Sequence, residues 1–221
     1  MGKASQRKNG SAITYLSTRK CEICREALSA GHFWGREKEY FDLREMLNKG
    51  GHYLISGIGG IGKTELLRQL LKYCVKNKKT EYICFIQYQN NFAESLLRAL
   101  GKKQQQDMFS DSFTEAVSEL KCCAAGHKLL ILMDNVYKDT EEDDYLNVLK
   151  DVPATVFATS RLPEIEGFTA YPLKKLDVQS CELIFRDTYT RILSDEDKTK
   201  LHSLLENPLY RHTLTIRWLG M

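Results

Sequence analysis

The chain has 221 residues, 43% of them apolar, enough for one α/β domain with a sizeable core and a small addition. A formal net charge of +3 is too small to argue for nucleic acid, and no apolar run is long enough to span a bilayer. Residues 1–20 are polar and basic and lack the apolar centre of a secretion signal. Together with an odd number of cysteines, seven, this fits a reducing cytoplasm better than a disulfide framework.

Residues 1–30 read as a poorly ordered basic leader, with a solvated extension favoured over a tail that touches nucleic acid. Cys21 and Cys24 have C-x-x-C spacing near His32, but no second pair follows. Reduced thiols are therefore the default reading and a zinc site the alternative. From Glu37 to Leu47 the apolar residues Tyr40, Phe41, Leu43 and Met46 predict a helix. Tyr53–Ser56 is a short apolar run suited to a buried parallel strand.

Gly57-Ile58-Gly59-Gly60-Ile61-Gly62-Lys63-Thr64 follows, and it matches G-x-x-x-x-G-K-[ST] completely. Glycines let successive backbone N–H groups turn inward around phosphates. Lys63 is placed to reach the β and γ phosphates as a point charge, and the Thr64 hydroxyl to meet Mg²⁺. Leu66, Leu67, Leu70, Leu71 and Cys74 then repeat at helical spacing, so the helix aims its positive end at the same anion. A glycine-rich turn with no ligand is the bland alternative.

Glu81–Tyr88 reads as a second strand, and Phe92–Leu100 as an amphipathic helix closed by Gly101. A further helix is expected to start near Ser112, with Glu115 placed for a capping box and Gly126 ending it. Leu129–Asp134 is a buried strand ending in a carboxylate. Ligands of open α/β sheets sit at the carboxyl ends of strands, so Asp134 is the expected Mg²⁺-associated acid, against a loop aspartate that caps a turn. Residues 139–144 hold five carboxylates in six positions. Assistance to the N-terminus of a helix Tyr145–Lys150 is favoured over a cation site. Thr155–Ala158 reads as a strand leading to Thr159-Ser160-Arg161, where Arg161 is either a surface charge or a γ-phosphate contact; its place at a strand end favours contact. Ala170–Leu173 is a short last strand. Asp177–Tyr189 and Asp195–Glu206 read as helices, and Asn207-Pro208 as the start of another.

The order of these parts resembles the STAND class of P-loop NTPases, and within it the NB-ARC or AP-ATPase type. Phe33-Trp34-Gly35-Arg36-Glu37 is similar to the family's Gly-Arg-Glu motif, Gly57–Thr64 to its Walker A loop, and Leu129–Asn135 to its Walker B strand. Thr159-Ser160-Arg161 is similar to its sensor arginine motif, and Asn207-Pro208-Leu209 to its Gly-Leu-Pro-Leu or Asn-Pro-Leu motif. The resemblance spans residues 33–209. It implies an α/β fold: a parallel P-loop sheet of about five strands flanked by helices over residues 31–175, and a partial helical lid over 176–221.

The resemblance also implies a switch that binds ADP at rest and ATP when triggered, with Mg²⁺. Gly35 and Arg36 would line the adenine side, Pro208 would close over the nucleotide, and Arg161 would report the γ-phosphate. Asn135 departs from the pattern, since many relatives carry a second acid there. An amide cannot act as a general base, so slow hydrolysis or simple binding is expected. With no room for sensor repeats or an effector region, the chain is expected to be a piece of a larger switch or a truncated product, with self-association open. The rival classes are an AAA+-like ATPase acting on nucleic acid or protein, a small-molecule kinase and an inert scaffold.

Overall fold

The computed structural model describes residues 13–16, 34–102, 108–189, 191–207, 211, 213 and 216. Cys21, Cys24 and Pro208 lie outside the described residues. Six parallel strands form one sheet: β1 (Thr14–Tyr15), β2 (His52–Ser56), β3 (Tyr82–Gln87), β4 (Leu129–Val136), β5 (Thr155–Ser160) and β6 (Thr169–Pro172). Their spatial order is β1-β3-β4-β5-β2-β6. The connecting helices are α1 (Glu37–Lys49), α2 (Lys63–Asn77), α3 (Phe92–Ala99) and α4 (Phe109–Ala124), with a 3₁₀ segment, Asp144–Asp151, before β5. Then come α5 (Val178–Thr188) and α6 (Asp195–Glu206).

The expected parallel sheet of about five strands is present, with six strands among the described residues. β1 comes from the stretch read as a leader. Its backbone pairs with β3, Thr14 N donating to Glu81 O at 2.9 Å and Leu16 N to Ile83 O at 2.9 Å. Two residues leave no periodicity to detect, so pairing rather than pattern makes this strand. The helix expected from Ser112 begins at Phe109 instead, with Met108 at its cap and no side-chain cap bond. The helix expected at Tyr145–Lys150 is a 3₁₀ segment whose cap is Asp143.

Central strands are buried on both faces, as parallel sheets require, and two clusters fill those faces. On one, Leu66, Leu67, Leu70 and Leu71 of α2 pack with Ile55, Leu132 and Phe157. On the other, Leu96 and Leu97 of α3 and Leu120 of α4 pack with Ile86, Ile131 and Ala158. A third cluster, with Leu176, Cys181, Ile184, Phe185, Leu205 and Ile216, holds α5 and α6 together. Asp177 and Ser194 cap these helices by accepting from Ser180 N and Asp197 N.

Candidate functional site

The strand order places the carboxyl ends of β4, β5 and β2 side by side. The loop after β2 therefore opens beside Asp134 at the end of β4 and Arg161 just past β5. This is the edge of an α/β sheet at which ligands bind. A cleft of about 280 Å³ runs along it, bordered by the loop, both strand ends and the last part of α5.

Gly62 caps α2 in the left-handed region, with φ 106, so the loop passes into the helix at Lys63. Two of the three Lys63 N–H donors go to Gly57 O at 2.7 Å and Ile58 O at 2.9 Å, which folds the ammonium over the loop. Burial lowers the Lys63 pKa, and the nearby Arg161 guanidinium lowers it further; Asp134 acts in the opposite sense. Arg161 lies across the loop: a Cβ built on Gly59 would stand 3.1 Å from its Nη2. Gly57–Thr64, Asp134 and Arg161 are thus brought together, Ile58 with its side chain exposed and Ile61 with its side chain buried.

Asp134 is buried, and one carboxylate oxygen accepts two hydroxyls. Thr64 donates at 2.8 Å and Thr159 at 2.6 Å. The β4–β5 register shifts between Met133 and Val136, and Asn135 sits at φ 64. Asn135 N donates to Thr159 Oγ1 at 2.9 Å, and Ser160 Oγ donates to Val136 O at 2.6 Å. This irregularity turns Asp134 toward α2 and leaves Asn135 exposed at the cleft.

Arg36 is buried and faces the loop. Its Nη1 pairs with Glu39 at 2.6 Å, and its Nη2 donates to Ile61 O at 3.2 Å. Gly35 lies instead against α5, where a Cβ would meet Ser180 at 2.3 Å. Residues given no site role of their own from sequence complete the cleft. Thr159 orients Asp134, Leu176 and Ile184 with Trp34 form an apolar wall, and Thr213 Oγ1 donates to Ile61 O at 3.2 Å. Ile184 gave no separate signal, because its helical spacing also marks core.

Residues 139–144 are not gathered as a metal centre, and no cluster of three or more His, Cys, Asp or Glu suited to a metal occurs among the described residues. Instead Asp143 is buried and accepts from Tyr88 Oη at 2.6 Å, Phe92 N at 2.5 Å and Tyr145 N at 3.3 Å. Among the described residues no helix is long and apolar enough to cross a membrane.

Solved structures share this architecture. Domain III of the Thermotoga maritima replication initiation protein DnaA is 18% identical with a TM-score of 0.51, covering 85% of this chain and 82% of that one. A DNA replication initiation factor is 16% identical with a TM-score of 0.54, covering 87% of this chain and 62% of that one. AMPPCP-bound DnaA from Aquifex aeolicus is 15% identical with a TM-score of 0.54, covering 86% and 62%. A search of curated proteins finds no match. A family model described as the NB-ARC domain matches residues 38–188, a span that runs from α1 through the glycine loop, Asp134 and Arg161 to the end of α5. The chain belongs to the NB-ARC family and is a nucleotide-binding P-loop domain.

Proposed function

We propose that this domain is an ATP/ADP-binding regulatory switch of the STAND type in which hydrolysis is slow or absent. The observation that carries this reading is the end of β4. Asp134 is committed to Thr64 and Thr159, and the next side chain in the cleft is the amide of Asn135. No carboxylate follows Asp134 to take a proton from water, which favours holding a nucleotide over turning it over.

The donor set fits Mg²⁺. The Thr64 hydroxyl and the Asp134 carboxylate converge at 2.8 Å, two hard oxygens that leave further positions to phosphate and water. Bound there, the ion would neutralise phosphate charge. The chain's own residues then divide the work. The backbone of Gly57–Gly62 cradles the phosphates, and Lys63 transfers its N–H donors from loop carbonyls to phosphate oxygens. Arg161, across the loop from Gly59, responds to the outermost phosphate. Trp34, Leu176 and Ile184 supply an apolar wall for the base. Gly35 and Arg36 shape that end from behind, and Pro208 adds the lid. By the same resemblance the domain works in the cytoplasm with sensor and effector regions, or with further copies of itself.

An AAA+-like ATPase acting on DNA is the second reading, favoured by the structural likeness to replication initiators. Labelled ADP binding to the wild type and to Lys63→Ala tests the first proposal: a loss of at least tenfold in affinity is expected, and equal affinity would overturn it. Steady-state ATP hydrolysis with and without duplex DNA separates the two readings. Low, DNA-independent turnover is expected, and strong stimulation by DNA would replace the switch with the second.

A further inference from the structure

A second cavity, of about 480 Å³, lies at the opposite end of the sheet, where the amino ends of β2, β3, β4 and β5 meet. Its lining includes Lys49, Lys79, Lys128 and His127 and no carboxylate. None of the three lysines makes an ion pair among the described residues, and all three are exposed. The Lys79 ammonium lies 5.9 Å from the Tyr73 ring. Glu81 borders the site, but its carboxylate is occupied by the His127 ring at 3.1 Å and Lys128 N at 3.1 Å.

The bland explanation is that these lysines offset helix dipoles, since α1, α2 and α4 end on this side. The magnitudes do not balance. Each helix end carries about half a negative charge, and the effect fades beyond the last turn. Lys49 lies in the last turn of α1, whereas Lys79 and Lys128 lie past the ends of α2 and α4. Three full positive charges against three half-charges and the bordering Glu81 carboxylate still leave the cavity positive, by about half a charge.

The walls are also held in place. Thr80 Oγ1 is within reach of Tyr82 O at 2.8 Å and Lys128 O at 2.5 Å, and Glu81 N donates to Lys128 O at 3.0 Å. The loops that carry Lys79 and Lys128 are therefore bonded to each other. The third loop is fixed by Tyr53 Oη donating to Gly50 O at 2.7 Å and Val156 N donating to Gly51 O at 2.9 Å. Rigid walls lower the ordering cost of a ligand.

We infer that this cavity binds a compact anion carrying several phosphate groups, at a site separate from the P-loop. The concave shape and small size favour such an anion over an extended nucleic-acid backbone. Lysines meet phosphate as point charges, so each supplies attraction without demanding one geometry.

The test uses the full chain and inositol hexakisphosphate as probe, titrated with the P-loop saturated by ADP. Wild type and Lys63→Ala should bind the probe equally. Lys49→Gln/Lys79→Gln/Lys128→Gln should bind at least tenfold more weakly while retaining the wild-type ADP affinity. Hydrogen exchange on the wild type should show protection at residues 47–51, 79–81 and 127–130 when the probe is added. Unchanged affinity in the triple variant, or protection confined to residues 57–64, overturns the inference. Co-flotation with vesicles containing phosphatidylinositol bisphosphate, lost in the triple variant, would assign the phosphates to a lipid headgroup; binding in solution alone assigns a free anion. Duplex DNA that binds more tightly than the probe at equal phosphate concentration, again through these lysines, would overturn the small-anion assignment.

Discussion

Replacing Gly35 by alanine tests how the start of the domain is joined to α5. Gly35 has φ 71, and a Cβ there would stand 2.3 Å from both Cβ and Oγ of Ser180 and 3.1 Å from Leu176 Cδ2. Ser180 is buried in the first turn of α5, so it has little room to withdraw. Two costs add. A left-handed backbone with a side chain costs about 1–2 kcal/mol. Forcing a methyl into packed surroundings costs about 1–3 kcal/mol. The sum, roughly 2–5 kcal/mol, is a large share of the 5–15 kcal/mol typical of a folded domain. It corresponds to a fall in Tm of roughly 5–20 °C for a chain of this size.

The assay is urea unfolding of wild type, Gly35→Ala, Ser180→Gly and the double variant. Ser180→Gly removes the clashing atoms but not the backbone strain, so the double variant should recover about 1–3 kcal/mol relative to additivity. ADP affinity should fall in Gly35→Ala as well, because the next residue, Arg36, holds the loop carbonyl of Ile61. Two results would refute the reasoning: Gly35→Ala within about 0.5 kcal/mol of wild type, or a double variant that is simply additive.

Tyr88→Phe should cost about 1.5–3 kcal/mol, the range for a hydrogen bond to a charged group, because it removes the bond to Asp143 at 2.6 Å. Burial and then that bond raise the Tyr88 pKa, so its contribution is fully present below the unfolded tyrosine value of about 10 and fades as pH rises past it. Stability measured from pH 8 to 11 should therefore fall more steeply in the wild type than in Tyr88→Phe; parallel curves would contradict this. For Lys63 the sign is opposite. Its pKa is lowered, so the folded protein bears a penalty below that value, and stability rises with pH through the window up to the unfolded lysine pKa. Arg161→Gln removes the second cause of the shift and should raise the Lys63 pKa, read by NMR of the labelled ammonium; an unchanged value would place Arg161 away from the loop in solution.

What could be read beforehand followed the strength of the local signal. Leu129–Met133 and Val156–Ala158 are unbroken apolar runs, and both lie in central strands. Asp177 stands where a cap belongs, and it accepts the bond expected of a cap from Ser180 N. Ser112 with Glu115 has the same local signature, yet α4 starts earlier, at Phe109, where Phe109 and Phe113 ring-pack on Tyr145. Tertiary packing outweighed the capping pattern. The acidic run was legible only in part: Asp143 does cap the segment that follows, as a 3₁₀ turn. Five carboxylates suggest solvent and dipole, but Asp143 is the buried acceptor that ties β3, α3 and the 3₁₀ segment together. Its neighbours in sequence give little hint, because two of its three donors, Tyr88 and Phe92, lie more than fifty residues away.

The same distinction separates the parts of the site. Lys63 follows from the loop itself, since both its acceptors are loop carbonyls, and Thr64 follows from its place beside Lys63 in the motif. Thr159 does not, because its role depends on β5 lying beside β4 and on the register shift that turns Asp134 toward it. Ile61 O is the clearest case, since a carbonyl carries no side-chain signal. It accepts from Arg36, which immediately precedes α1, and from Thr213, which follows α6. One peptide group of the phosphate loop is thus bonded to segments at both ends of the domain. Movement of the segment that bears Thr213 must either break this bond or pull on the loop. An amide following Asp134 weakens the case for rapid chemistry, while this shared carbonyl gives the loop a direct mechanical connection to the helices around it.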